Sequence, residues 1–338
     1  MMRCILVTDH SSHRHFDSVY LLARYLDALP DVETFVVSLG DACNQRNLKQ
    51  PTDTLHAVKP SDDFCFENRE VYFSQQWQDI PVASVDFVLM RLIPFNEAQL
   101  LQLSRVFTSA HFFNTAQGII KTESKAFLHQ LSTHTPFIAP CESLAQLTTL
   151  SKNRAVVLKP LYGFGGKGNI LFGPEMCVEQ GQPFTQHAML QQLAPRFEQG
   201  ERWLAMEYLP NASKGDKRIL VLNGEIMGAS LRLPVTDDWL CNVSNGGRSV
   251  NTEVSHREVE MIRDVSRVLA AEGIALFGTD TLLNQQGERV LSEVNTLCIG
   301  GFYTQHNVLG NKQVILNTVN SLHNIMLSQL ALQGAVNC

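Results

Sequence analysis

No stretch of this chain is apolar for long enough to cross a bilayer as a helix, which takes about 20 residues. The opening run Met1-Met2-Arg3-Cys4-Ile5-Leu6-Val7 is also too short for a secretory h-region. No membrane partner is therefore expected, and the cytoplasm is the expected compartment. Basic residues are in deficit: 27 Lys and Arg against 33 Asp and Glu leave a formal net charge of −6. A general binder of nucleic acid or anionic lipid needs the opposite balance, so neither is expected as a partner. Prolines number only 13 and charged residues only 18%, against 44% hydrophobic, which excludes a disordered class. The eight cysteines (4, 43, 65, 141, 177, 241, 298, 338) form no C-x-x-C pair. They read as reduced, mostly buried thiols rather than a disulfide framework. At 338 residues the chain is long enough for two or three domains.

Two familiar phosphate-binding patterns are missing as well. Gly163, Gly165 and Gly168 spell G-x-G-x-x-G, but that fingerprint requires a following helix, and Asn169 to Phe172 is a short apolar run stopped by Gly173-Pro174. A P-loop fails because Gly168 is followed by Asn169 instead of Lys. What is present from Ala155 to Phe172 is a strand, a glycine-rich turn with Gly163, Gly165 and Gly166, and a second strand, with Lys159 and Lys167 adding charge. Glycines let backbone N–H groups approach phosphate oxygens with no Cβ in the way. The same stretch also reads as an ordinary turn beside a surface lysine.

Along the chain, short β-branched runs at 3–8, 34–38 and 85–91 alternate with amphipathic segments at 18–29 and 96–107, with Asp17 a candidate cap for the first. That grammar predicts an open, mainly parallel sheet with its ligand crevice at the carboxyl ends of the strands. Residues 39–77 read mainly as loop. A helix is expected over 122–131, and a smaller α+β unit surrounds the glycine hairpin. Asn223-Gly224 between apolar arms predicts a tight hairpin. Ser255 and Glu258 form a capping box, Gly273 closes the helix that follows, and a last helix is expected over 312–332.

The runs 276–283 and 289–295 should pair as an antiparallel hairpin. With a four-residue loop, Asp280 lies opposite Leu291, and alternation puts Asp280, Glu293 and Asn295 on one face. This is a row of hard oxygen ligands of the kind magnesium favours, or equally a solvated polar face. Arg218, Arg232 and Arg248, beside strand ends and glycine-rich turns, form a cationic set suited to an anionic substrate and a transferring phosphoryl group. His10, His13 and His15 cluster after the first strand and read chiefly as a solvent-facing loop. Cys298 has no identifiable activating partner and receives no nucleophilic role.

The ordered series Lys125, Val157-Leu158-Lys159-Pro160, Gly163 to Gly168, Met206 to Pro210, Gly215-Asp216-Lys217-Arg218, Asn245 to Arg248, Gly278-Thr279-Asp280 and Glu293-Val294-Asn295 resembles the ATP-grasp superfamily, and within it the bacterial glutathione synthetases. The resemblance implies an ATP-grasp fold, α/β and α+β in class. Its parts would be an N-terminal open parallel-sheet domain (1–119), a small glycine-loop lid domain (120–204) and a C-terminal antiparallel-sheet domain (205–338). It implies ATP held at Lys125, Lys159 and the glycines, with an adenine hinge at Glu207, Tyr208 and Leu209 and the ribose near Asp216. Two Mg²⁺ ions, with Mn²⁺ as a substitute, would lie at Asp280, Glu293 and Asn295. The implied reaction is C–N ligation through an acyl phosphate, joining γ-glutamylcysteine to glycine, by a homo-oligomer acting on small amino-acid or peptide substrates. The chain departs from the pattern at Leu92-Ile93-Pro94-Phe95-Asn96, at Thr296 to Gly301, and at Asp237 to Asn242. These departures keep two other readings open: a ligase for a different carboxylate and amine, and a nucleotide-binding regulatory module. A kinase-like phosphotransferase is a further alternative, distinguished by its product.

Overall fold

The computed structural model describes residues 1–47, 52–163, 165–234 and 247–336. Three sheets organise them. The first contains β1 (Met2–Thr8), β2 (Val32–Ser38), β3 (Thr54–Val58), β4 (Trp77–Pro81), β5 (Phe87–Arg91) and β6 (His111–Phe113), in the order β4-β3-β2-β1-β5-β6. Strands β2, β1, β5 and β6 are parallel, and β3 and β4 extend the sheet antiparallel. Five helices belong to this part of the chain: α1 (Val19–Asp27), α2 (Ala42–Asn47), α3 (Arg69–Gln75), α4 (Glu97–Val106) and α5 (Ala116–Thr122). Strand β5 is buried along its whole length, as a central strand covered on both faces must be.

Three expectations for this half need correction. The segment read as loop holds α2, β3 and α3, and β4 begins at its end; these short and polar-tipped elements lack a clean period. The helix expected over 122–131 is a 3₁₀ helix at Lys125–Leu131, and the α-helix of this region, α5, lies before it and ends at Thr122. Asp17 does not cap α1. Its carboxylate instead accepts from the Arg14 backbone N–H at 2.6 Å, and Ser18 occupies the cap position.

The second sheet contains β7 (Ile138–Cys141), β8 (Val156–Pro160), β9 (Ile170–Phe172), β10 (Cys177–Glu179), β11 (Gln182–Phe184) and β12 (Trp203–Glu207), ordered β11-β10-β9-β8-β12-β7. Helices α6 (Leu144–Leu150) and α7 (Gln186–Glu198) accompany it, and a core of its own gathers Trp203, Phe172, Leu158, Met189 and Leu193. The β8–β9 hairpin carries the glycine turn as expected, with Gly163, Gly165, Gly166 and Gly168 all at positive φ.

The third sheet, β13 (Asp216–Leu222), β14 (Glu225–Leu233), β15 (Arg248–Asn251), β16 (Leu276–Leu283) and β17 (Arg289–Asn295), runs β15-β14-β13-β16-β17 and is antiparallel throughout. Asn223 and Gly224 both have positive φ at the β13–β14 turn, as a two-residue hairpin demands. Helix α8 (His256–Ala271) opens on the Ser255–Glu258 capping box, and α9 (Lys312–Val336) buries Ile315, Val319, Leu322 and Met326 at helical spacing. Those side chains join Cys4, Leu6 and Leu22 in one core, so the first and third sheets are fused. Asn114 at the end of β6 strengthens the join. Its Nδ2 donates to the carbonyls of Leu276 and Thr296 at 2.6 and 2.7 Å, and its Oδ1 accepts from the N–H groups of Ala275 and Leu276.

Candidate active site

The β16–β17 pairing differs from the expected register. The connecting loop has five residues, 284–288, and Ser292 bulges out of β17, so Asp280 faces Glu293 directly instead of Leu291. Each one-residue slip alone would turn Glu293 to the opposite face, and together they restore it. The bulge frees the Ser292 carbonyl, which accepts a 3.0 Å hydrogen bond from Lys159 Nζ across the cleft.

Around Asp280 lies a buried charge cluster. Arg218 sits opposite it on β13 and reaches its two oxygens through Nε and Nη2 at 2.5 and 2.8 Å. Arg232 on β14 bridges Asp280, at 2.9 Å, and Asp216. Burial opposes ionisation of Asp280, but the two guanidiniums outweigh it and hold the carboxyl well below its usual range. Asp216 goes the other way: burial, reinforced by Asp280, pushes it up to about 6 despite Arg232. Lys159 is buried, which lowers its pKa, and neighbouring Glu293 partly offsets that. Lys125 Nζ donates to the Gly163 carbonyl at 2.5 Å and lies 3.3 Å from Glu293, so it ties the glycine turn to the acidic strand.

Two cavities meet at Glu293. The narrow one, about 70 Å³, lies between the second and third sheets. Val157, Met206, Leu209 and Leu282 give it apolar walls, Glu207 and Tyr208 line it, and Lys159 and Asp216 lie at its polar part. The larger, about 440 Å³, is bounded by Arg218, Arg232, Asp280, Glu293 and Asn295 on one side. Apolar groups from the departing segments, Leu92, Ile93, Phe95 and Leu297, bound it elsewhere. Phe95 stacks on Tyr162, ring centroids 5.1 Å apart, at the foot of the glycine turn.

The structure thus brings Lys125, Lys159, Gly163, Gly165, Gly166, Glu207, Tyr208, Leu209, Asp216, Arg218, Arg232, Asp280, Glu293 and Asn295 to one cleft. It does not bring Arg248. The β14–β15 register pairs Arg248 with Leu233 while Ser249 faces Arg232, so alternation turns Arg248 to the other face, where it is exposed. The segment Asp237 to Asn242 lies outside the described residues.

Sequence reasoning gave no role to two residues of the large cavity. Arg91, at the end of β5, is buried and donates through Nη2 to the Ile299 carbonyl, while its Nε and Nη1 have no hydrogen-bond partner among the described residues. A buried guanidinium with two unused donors is a ready receptor for a carboxylate. Glu123, two residues before Lys125, is pushed up to about 7 by burial, with nearby Glu293 adding to the rise. The β-strand run ending in Arg91 was the available signal for the first; nothing local marks the second. Cys298 also lines the cavity, and burial raises its thiol pKa, in keeping with the absence of a nucleophilic role.

Of the three histidines, His15 is exposed as expected and reaches Tyr303 and Glu67, whereas His10 stacks on Phe73 at 4.6 Å and His13 is buried between Thr8 Oγ1 and Tyr20 Oη at 2.6 and 2.8 Å. Burial, helped by His10 and two arginines, lowers the His13 pKa to about 3. Its neutral form therefore stabilises the fold above the unfolded value near 6.5, and that contribution is lost as pH falls from there towards 3. The expected result is a shallower loss of urea midpoint between pH 6.5 and 4 in His13→Gln than in the parent chain. Parallel curves would show that His13 does not titrate on unfolding in this range.

A family profile described as the prokaryotic glutathione synthetase ATP-grasp domain matches residues 124–308, more than half of the chain. The chain belongs to the prokaryotic glutathione synthetase ATP-grasp family. Among curated relatives, the glutathione synthetase of Agrobacterium fabrum is 27% identical over 208 residues, covering 60% of this chain and 62% of the relative. That of Escherichia coli K12 is 29% identical over 238 residues, covering 68% and 71%. The chain thus spans somewhat under two thirds of the length of the Agrobacterium relative. Solved structures carry the likeness across the whole fold. D-cycloserine synthetase DcsG aligns with TM-score 0.64 at 13% identity over 96% of this chain and 99% of its own. D-alanyl-alanine synthetase A of Vibrio cholerae aligns with TM-score 0.56 at 13% identity over 95% and 99%. The architecture is the ATP-grasp fold, with the family's glycine hairpin and antiparallel sheet facing each other across the cleft.

Proposed function

We propose that this protein is an ATP-dependent carboxylate–amine ligase that forms an amide through an acyl phosphate. The observation that carries the reading is the junction of the two cavities at Glu293, with two lysines on the nucleotide side and the Arg218–Asp280–Arg232 cluster on the other. The narrow apolar slot would take adenine against the backbone of Glu207 to Leu209, and Asp216, whose buried Oδ1 has no partner among the described residues, would accept from a ribose hydroxyl. Lys125 and Lys159 would hold phosphate oxygens and keep the nucleotide's terminal phosphate at the junction. The side-chain oxygens of Asp280, Glu293 and Asn295, with Asp280 kept ionised, fit magnesium. Magnesium held there would neutralise charge on the transferring phosphoryl group.

Arg91 would anchor a substrate carboxylate from the side of the first sheet. Arg218 would stabilise the oxyanion formed when the amine attacks the activated carbonyl. Glu123, whose pKa burial raises to about 7, would take a proton from the incoming ammonium near neutral pH. The Phe95–Tyr162 stack and the glycine turn would close over the acyl phosphate and exclude water.

γ-Glutamylcysteine and glycine are the first pair to try. A second reading, ligation of another carboxylate and amine, is favoured by the apolar wall of Leu92, Ile93, Phe95 and Leu297, which suits a bulkier, less polar side chain. Mg²⁺-dependent ADP release, measured with each substrate omitted in turn and with product mass recorded, separates these. Glutathione formed only when both substrates are present supports the first. ADP release and an amide product only with apolar amino acids or dipeptides support the second. A stable phosphorylated product would replace ligation with phosphotransfer, and ATP binding with no turnover on any pair would leave a regulatory module.

A further inference from the structure

We propose that Asp41, Cys43 and His56 form a binding site for one transition-metal ion of the zinc class, outside both cavities of the cleft and independent of the ligase reading. The three come from separate elements. Asp41 follows β2, Cys43 lies in the first turn of α2, and His56 is at the centre of β3. Their ligand atoms all lie within 4.8 Å of one another.

The geometry around His56 is the deciding feature. Nδ1 lies 3.4 Å from Asp41 Oδ2, yet it is buried and makes no hydrogen bond among the described residues. A separation of about 3.4 Å is the edge of a tetrahedron whose metal bonds are about 2.0–2.1 Å long, so the pair is already spaced to share an ion. The other ring nitrogen, Nε2, is 3.3 Å from Asp79 Oδ1 on β4. A carboxylate at the far nitrogen is the usual means of fixing the tautomer and orientation of a metal-binding imidazole, and it leaves Nδ1 for the metal.

The cluster also rests on a rigid support. Asn44, fully buried, donates through Nδ2 to the carbonyls of Ser38 and His56 at 3.0 and 2.9 Å and accepts from the His56 N–H at 3.0 Å. That clamp holds α2 against β3 and so fixes Cys43 relative to the imidazole. The Asn44 N–H donates to Asp41 Oδ2 at 2.8 Å, which orients the carboxylate. Cys43 Sγ takes a 3.1 Å contact from Arg46 Nη2, so binding exchanges that contact for a metal–sulfur bond. All three ligands are only half-buried, which leaves an entry path and room for water as a fourth ligand. Imidazole, thiolate and a single carboxylate select zinc or cobalt over magnesium, whose preferred donors are oxygens.

Cobalt titration of the full chain, first stripped with a chelator, tests the site. The expected result is one equivalent bound with a thiolate-to-cobalt charge-transfer band that Zn²⁺ abolishes and excess Mg²⁺ does not. Cys43→Ser should remove the band and His56→Gln should weaken binding. Asp79→Asn, a change at an exposed position that should not disturb folding, should lower affinity by about 10- to 100-fold while keeping the band. A band that survives Cys43→Ser, or no band in the parent chain, overturns the proposal.

Discussion

Arg218→Ala is expected to lower ligase turnover by about 100- to 1,000-fold, the usual effect of deleting one donor aimed at a developing oxyanion, the role proposed for it above. The argument is positional. Arg218 is anchored through Nε and Nη2 to Asp280 and through Nη1 to the Gly300 carbonyl at 3.0 Å, so its guanidinium is held before any substrate arrives. Pre-organised donors act without reorganisation at the moment of reaction, and this is where such groups gain their effect. Arg218→Lys should recover little, because an ammonium cannot occupy both carboxylate oxygens and the carbonyl in one plane. Asp280 keeps Arg232 in the variant, so the fold should persist; circular dichroism and urea midpoints check this alongside kcat. Turnover close to that of the parent chain would remove Arg218 from the chemistry. Arg248→Ala, on the opposite face of the sheet, should leave turnover nearly unchanged.

Glu258→Ala destabilises the protein by about 3–5 kcal/mol, read as a lower urea midpoint at unchanged slope. Glu258 does two jobs at the start of α8. Its carboxylate accepts from the Ser255 N–H at 2.9 Å, completing the capping box, and it pairs at 2.7 Å with Lys217 Nζ. Both side chains are almost wholly buried. Removing the acid leaves an ammonium in the core with only the Glu253 carbonyl as a hydrogen-bond partner among the described residues. If that uncompensated charge is the main cost, the double variant Lys217→Met/Glu258→Leu should recover much of the loss, since apolar replacements of a buried pair are often neutral or better. No recovery would assign the loss to the cap and packing. Burial opposes ionisation of Glu258, but Lys217 and Ser255 outweigh it and lower its pKa. The stabilisation is therefore present above the unfolded value near 4.5 and lost as pH falls below it.

The parts of this fold legible in the sequence are those set by local chemistry. Asn223-Gly224, Ser255 with Glu258, and the glycine run 163–168 each need particular residues at particular positions, and each appears as expected. The segment 39–77 was not legible because its strands are short: β3 has five residues with His56 in its middle, and β4, the edge strand, buries only Ile80, so neither carries enough of an alternating pattern to stand out. The cleft was legible as an ordered series of weak motifs spread over 170 residues, which no local period could assemble; only resemblance joined them. Arg248 misled because its place depends on strand parity across a loop whose length does not fix the register. Arg91 and Glu123 were missed because their chemistry comes from burial, which sequence states only indirectly.

Ser292 can be restated as a matter of insertions and deletions. It is the one residue of β17 that has no partner position on β16, so its loss would leave Leu291 opposite Thr281 and Glu293 opposite Asp280. For the sheet, the residue is a silent insertion. For the cleft it is not, because the carbonyl that holds Lys159 goes with it. A change in chain length that alters no strand pair would thus detach Lys159 from the acidic strand.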